Sequence, residues 1–188
     1  MNYSDAIRTE LNYSGVKDFD FLHGSWCVTH RTLKDRLMGA TEWEQAEATD
    51  FVRPAFQGLG NVGCFVRTVN GVRFEGMPIR LYDPRSAYWR IYWLDTINQV
   101  MDPPVIGRFQ HGTGLFLGDD YLKGEAIKVR FSWSRITSES ARWEQAFSAD
   151  GGDTWELNSI MDFQRNNNAS NNIRSTSIEG SKYENPIY

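Results

Sequence analysis

The stretch "DFDFLHGSWCVTHR", residues 18–31, decides the fold. It turns from a Phe/Asp-rich lead into a run with strand periodicity, and Gly24 and Trp26 stand at the turning point. Glycine lets a chain bend closely into a sheet, and an indole supplies enough apolar surface to stopper one end of a barrel. Side chains alternate faces along a strand. If Trp26 points inward, Val28, His30 and Thr32 follow it, while Cys27, Thr29, Arg31 and Leu33 point out.

The alternation continues outward from this stretch. Runs rich in Val, Ile, Phe, Tyr and Trp, broken by Gly, Pro and Asp, predict strands near 24–36, 41–53, 62–69, 72–82, 87–95, 105–111, 113–120, 125–135, 140–149 and 154–165. "VNGV" at 69–72 centres on Asn-Gly, whose two residues tolerate positive φ in a tight hairpin. "YDPRS" at 82–86 offers Pro at the second turn position. "MDPPVIG" at 101–107 reads as a loop entering the next strand. Residues 4–11, "SDAIRTEL", read as a short helix capped by Ser4. About ten short strands without crossover helices imply an antiparallel up-and-down meander, and closing it into a barrel of eight to ten strands removes its edges. The expected organisation is an N-terminal segment 1–17 with the short helix, an all-β barrel domain 18–165, and a polar tail 166–188, Asn- and Ser-rich and expected to be disordered.

"SADGGDTW" at 148–155 fits Ser-x-Asp-x-Gly-x-Thr-Trp, the Asp-box that recurs in sialidase propellers. One copy in a chain too short for a propeller reads as a structural turn. Ser148 and Asp150 bond backbone N–H groups, Gly152 takes a positive φ, and Trp155 covers the hairpin base.

Gly24-Ser25-Trp26 at the head of the first strand resembles the opening signature of lipocalins and other calycins. More widely, "FLHGSWCVTHRTLKDRL" and "ARWEQAFSADGGDTWELNSIMDF" resemble the DUF1579-type lipocalin-like bacterial proteins, from about Asp18 to Arg165. The resemblance implies a calycin-like barrel and no particular activity. It also implies an Arg from the last strand stacked across the Trp, and Arg165, at the end of "MDFQR", is the candidate. Nitrobindin-like members of the same fold bind haem through a late His. No His follows His111, so no cofactor is expected.

The chain has 188 residues, 23% of them charged, and a net charge of −4. That balance gives no reason to expect nucleic acid. No basic-then-apolar leader and no span-length apolar run is seen, so a cytoplasmic, non-membrane protein is expected. Cys27 and Cys64 read as reduced thiols in the core.

Aromatics, at 14% with seven Trp, either pack a core or line a cavity. Alternation puts Ile127, Val129, Phe131 and Trp133 inward, then Trp143, Gln145 and Phe147, then Trp155, Leu157, Ser159, Met161 and Phe163. In "EWEQAEAT" the odd set, Trp43, Gln45 and Glu47, is read as inward. In 87–95 Trp93 and Tyr92 compete. The candidate ligand-binding set is therefore His30, Trp43, Gln45, Arg80, Trp93, Phe131, Trp133, Gln145 and Ser159. An interior His30 is also the candidate catalytic residue, a general base, against the alternative of a hydrogen-bonded core histidine. His23, His30 and His111 lack metal-ligand spacing, so no metal site is expected.

Three functions fit. One is binding of a small apolar or aromatic metabolite in the barrel. Another is a calycin-like isomerase, cyclase or hydrolase in which His30 moves a proton. The last is an interaction protein with a filled barrel, possible as a homodimer.

Overall fold

The computed structural model describes residues 11–167. Ten antiparallel strands form one closed barrel: Gly24–Leu33 (β1), Trp43–Ala55 (β2), Gly60–Val69 (β3), Val72–Asp83 (β4), Tyr88–Asp95 (β5), Val105–Gln110 (β6), Thr113–Leu122 (β7), Glu125–Ser134 (β8), Ser140–Ser148 (β9) and Glu156–Arg165 (β10). Each strand pairs with its sequence neighbours, and β1 closes the ring against β10. The ten expected strands are all present, with ends displaced by a few residues. The helix expected over 4–11 and the tail 166–188 lie almost wholly outside the described residues. Within them the helical elements are two 3-10 turns, Asp20–Leu22 and Phe56–Gly58.

One end of the barrel is shut. The segment before β1 crosses it and drives Phe19 and Leu22 to full burial. Phe19 sits edge-on to Trp89, Phe109 and Trp133 at 4.9, 4.8 and 5.9 Å. Trp26 is fully buried above them and donates its indole N–H to the Leu22 carbonyl at 2.7 Å. The Arg165 guanidinium lies 3.8 Å from the centre of the Trp26 ring and donates to the carbonyls of His23 and Phe21 at 2.6 and 2.8 Å. Gly24 has φ +110°, and a Cβ there would stand 3.1 Å from Arg165 Nη1. The motif's glycine thus serves both the turn and the close approach of the arginine.

The opposite end carries the turns 34–42, 70–71, 96–104, 123–124 and 149–155. The last is the Asp-box. Ser148 Oγ accepts the Gly152 N–H at 2.9 Å, and Asp150 accepts the Thr154 N–H at 2.9 Å. Gly151 and Gly152 both hold positive φ. The hydroxyls of Ser148 and Thr154, with the Thr154 N–H, hold the Asp150 carboxyl far below the usual carboxylate range. Asp150→Ala therefore speeds amide exchange at Gly152 and Thr154 while leaving the strands' protection unchanged. Equal speeding throughout the barrel would show that the hairpin is not a local unit.

Four expectations need correction. Trp43 and Gln45, with Glu47, face outward on β2. Trp26 pairs with Asp50 and His30 with Ala46, so the inward set is Ala46, Ala48, Asp50 and Val52. Cys27 and Cys64 are free thiols on the outer surface, as the alternation around Trp26 requires of Cys27. Trp155 and Leu157 leave the inward set because a bulge between Leu157 and Ser159 shifts the parity of β10. Trp155 instead donates its N–H to the Gly152 carbonyl and lies under the Arg130 guanidinium at 4.5 Å. Leu33, expected outward, is nevertheless buried.

Candidate functional site

The rings do not fill the barrel. A cavity of about 630 Å³ runs from the stoppered floor to the turn-bearing mouth. Of the candidate residues, His30, Arg80, Trp93, Phe131, Trp133, Gln145 and Ser159 line it, whereas Trp43 and Gln45 do not. Trp93 is turned inward on β5 because Gly76 makes room. A Cβ on Gly76 would lie 2.2 Å from the indole. The indole N–H is held by Asp95 at 2.8 Å.

Sequence reasoning missed Asp50, Arg67, Phe65, Phe74 and Arg36. Asp50 reaches the interior through the parity of β2, and it is buried beside a break in the sheet. Pro78 has no N–H to give, and the β3–β4 ladder is interrupted between the pairs Val62–Ile79 and Phe65–Gly76. The backbone N–H groups of Cys64 and Phe51 act on the Asp50 carboxylate. Burial pushes its pKa up to about 6, against the pull of the Arg80 guanidinium and those two N–H groups. Arg80 is itself buried, which lowers its pKa to about 10 while Asp50 opposes the fall. It donates to Asn61 Oδ1 at 2.9 Å and lies over the rings of Phe19 and Trp133 at 5.4 and 5.7 Å.

Higher up, His30 is held from both sides. Arg67 Nη1 stands 3.3 Å from His30 Nδ1, and Ser159 Oγ stands 2.8 Å from Nε2. A guanidinium can only donate, so Nδ1 accepts and Nε2 carries the proton toward Ser159. Burial, then the charges of Arg67 and Arg36, lowers the His30 pKa to about 3. The ring is neutral with no lone pair left for a substrate proton, which leaves it a poor general base. It is a bonded core histidine, with Ser159 and Arg67 as its partners.

The mouth carries charges of both signs. Arg36 and Arg67 line it, together with Asp95, Asp102 and Asp120. Burial, then Asp120 and Asp95, pushes Asp102 up to about 6. Among the described residues no group of three His, Cys, Asp or Glu side chains is placed to hold a metal ion.

Four residues of this lining carry a buried polar atom with no hydrogen-bond partner among the described residues: Asp50 Oδ1, Arg67 Nε, Arg80 Nε and Trp133 Nε1. Buried polar atoms are ordinarily paired.

No family model matches the sequence, and no curated protein matches it. Among solved structures the chain is similar to the S-type phycobiliprotein lyase CPES from Guillardia theta. The TM-score is 0.54 at 10% identity, over 84% of this chain and 94% of that one. It also matches a redesigned beta barrel, b11L5F_LGL, and EF1p2_mFAP2b bound to DFHBI. Both have a TM-score of 0.45 at 12% identity, over 80% and 81% of this chain and 96% and 100% of theirs. The first likeness is one of fold.

Proposed function

We propose that this protein binds a small, flat, partly apolar molecule inside the barrel. The observation that carries the reading is the open cavity of about 630 Å³, walled by aromatic rings with a few polar side chains among them. Its volume falls within the roughly 300–1,000 Å³ of small-molecule pockets, and apolar walls with a few polar anchors are their usual make-up. A filled barrel would leave no such space. The enzyme reading loses its proposed base, since both His30 nitrogens are engaged. The Gly24–Trp26–Arg165 stopper supports grouping the chain with the DUF1579-type, lipocalin-like calycins. The two free surface thiols suit a reducing compartment such as the cytoplasm.

Aromatic and fatty probes titrated into the purified protein should produce a saturable change in tryptophan fluorescence, because Trp93 and Trp133 line the cavity. Gln145→Trp, which sets a large ring across the middle of the barrel from β9, should abolish that change and leave the fold intact by circular dichroism. Silence across the panel, or undiminished binding in the variant, removes the cavity from the function.

A further inference from the structure

The two arginines at the mouth carry charge that no described carboxylate pairs with. Neither Arg36 nor Arg67 forms a salt bridge within 4 Å with a described carboxylate. Arg36 makes no hydrogen bond among the described residues, and Arg67 Nε is buried and unpaired. Their nearest carboxylates are committed elsewhere or stand off. Glu156, the acid beside Arg36, accepts the Leu37 N–H at 2.6 Å. Asp95, one of the two acids acting on Arg67, takes the Trp93 indole and the backbone N–H groups of Ile97 and Asn98, each at 2.8 Å. Glu44, the other, is exposed on β2. Burial, followed by the Arg67 charge, lowers the Arg36 pKa, and both arginines press on His30. Two partly buried like charges beside a neutral imidazole form a cation cluster short of one anion.

Both guanidiniums are also held on rings. Arg67 lies 4.8 Å over Phe74, which stacks on Trp93 at 6.3 Å and 20°. Arg36 lies 5.5 Å over Phe147. Planar forks fixed against aromatic faces lose little freedom when they meet a carboxylate, and the match is bidentate. The carboxylates of the mouth offer no equivalent. Asp95 is saturated, Asp120 bonds the Tyr121 N–H, and Asp102 is pushed toward its neutral form.

We propose that the ligand is an aromatic carboxylate, its acid group held at the mouth by Arg36 and Arg67 beside neutral His30 and its ring lying below among Trp93, Phe131 and Trp133. This rests on the cavity being a binding site. Three probes of one shape separate the two claims: 2-naphthoate, 2-naphthamide and 2-naphthylmethylammonium, each titrated into the full chain. Naphthoate should bind about tenfold or more tighter than naphthamide, as expected for a charge-assisted pair of hydrogen bonds. The ammonium should bind weakest. Naphthoate should also raise the pKa of His30 in an imidazole NMR titration, since the anion offsets the two guanidiniums, whereas naphthamide should leave it in place. Arg36→Gln with Arg67→Gln should erase the preference and keep the naphthamide affinity. Equal binding of acid and amide, a preference for the ammonium, or an unmoved His30 overturns the carboxylate and leaves the cavity reading standing. No binding of any probe overturns both. The comparison on the unaltered protein decides the matter even where the double variant does not fold.

Discussion

Trp26→Ala is expected to lower the unfolding free energy by about 3–5 kcal/mol. The indole is fully buried, edge-on to Phe163 at 5.9 Å and 87°, with its N–H on the Leu22 carbonyl. Removing it leaves a hole at the closed end, where the segment before β1, the start of β1 and the end of β10 with Arg165 converge. It also strips Arg165 of the ring 3.8 Å away, while that arginine's bonds to the His23, Phe21 and Ser138 carbonyls depend on its staying in place. Arg165→Met keeps the stem and deletes the fork. It should cost less, about 1–3 kcal/mol, through carbonyls left unmatched. Urea unfolding of the two single variants and the double variant measures the coupling, which should be well above zero for groups in contact. A Trp26→Ala loss below about 1 kcal/mol, or additive losses, would mean the barrel closes without this stopper.

The same motif explains what could be read in advance. Gly24 and Trp26 announced both the turn and the parity of β1, and period two then placed Val28 and His30 inside. Parity could not be carried to β2, since no tight turn joins the two strands. Judged by its own composition, β2 offered Trp43 and Gln45 as the larger inward set. The pairing of Trp26 with Asp50 reverses that choice and brings small Ala46 and Ala48 inward, which leaves room in the cavity. The arginine cluster was legible in part. Asn70 and Gly71 form a two-residue turn with φ of 51° and 79°, and such a turn fixes Arg67 opposite Phe74. That cross-strand pair is the guanidinium-on-ring contact of the site. Arg36 was not legible, because a loop residue has no period to place it. The bulge at Asn158 was equally silent, and it moved Trp155 and Leu157 to the other face.

His30 makes stability depend on pH in a way that isolates it. Its folded pKa, about 3, lies below the 6.5 of a free imidazole. Above pH 6.5 neither state is protonated and the group contributes no pH dependence. As pH falls through that value the unfolded chain takes up a proton that the native barrel refuses, so native stability declines until pH reaches the folded value. Asp50 acts with the opposite sign. Its pKa is raised from 3.8 to about 6, so its contribution is present below 3.8 and is lost as pH rises through 6. The two therefore offset one another in the intact protein and flatten its acid limb. His30→Gln removes one of them and keeps groups able to meet Ser159 and Arg67. The stability of the original chain minus that of the variant should fall by about 3 kcal/mol between pH 7 and pH 4, measured by urea unfolding at each pH. The carboxylate contributions are common to both proteins and cancel. A difference that stays flat would mean that His30 charges inside the folded barrel, which in turn would require Arg67 to swing away from Nδ1 and would restore the imidazole as a group able to exchange protons with a ligand.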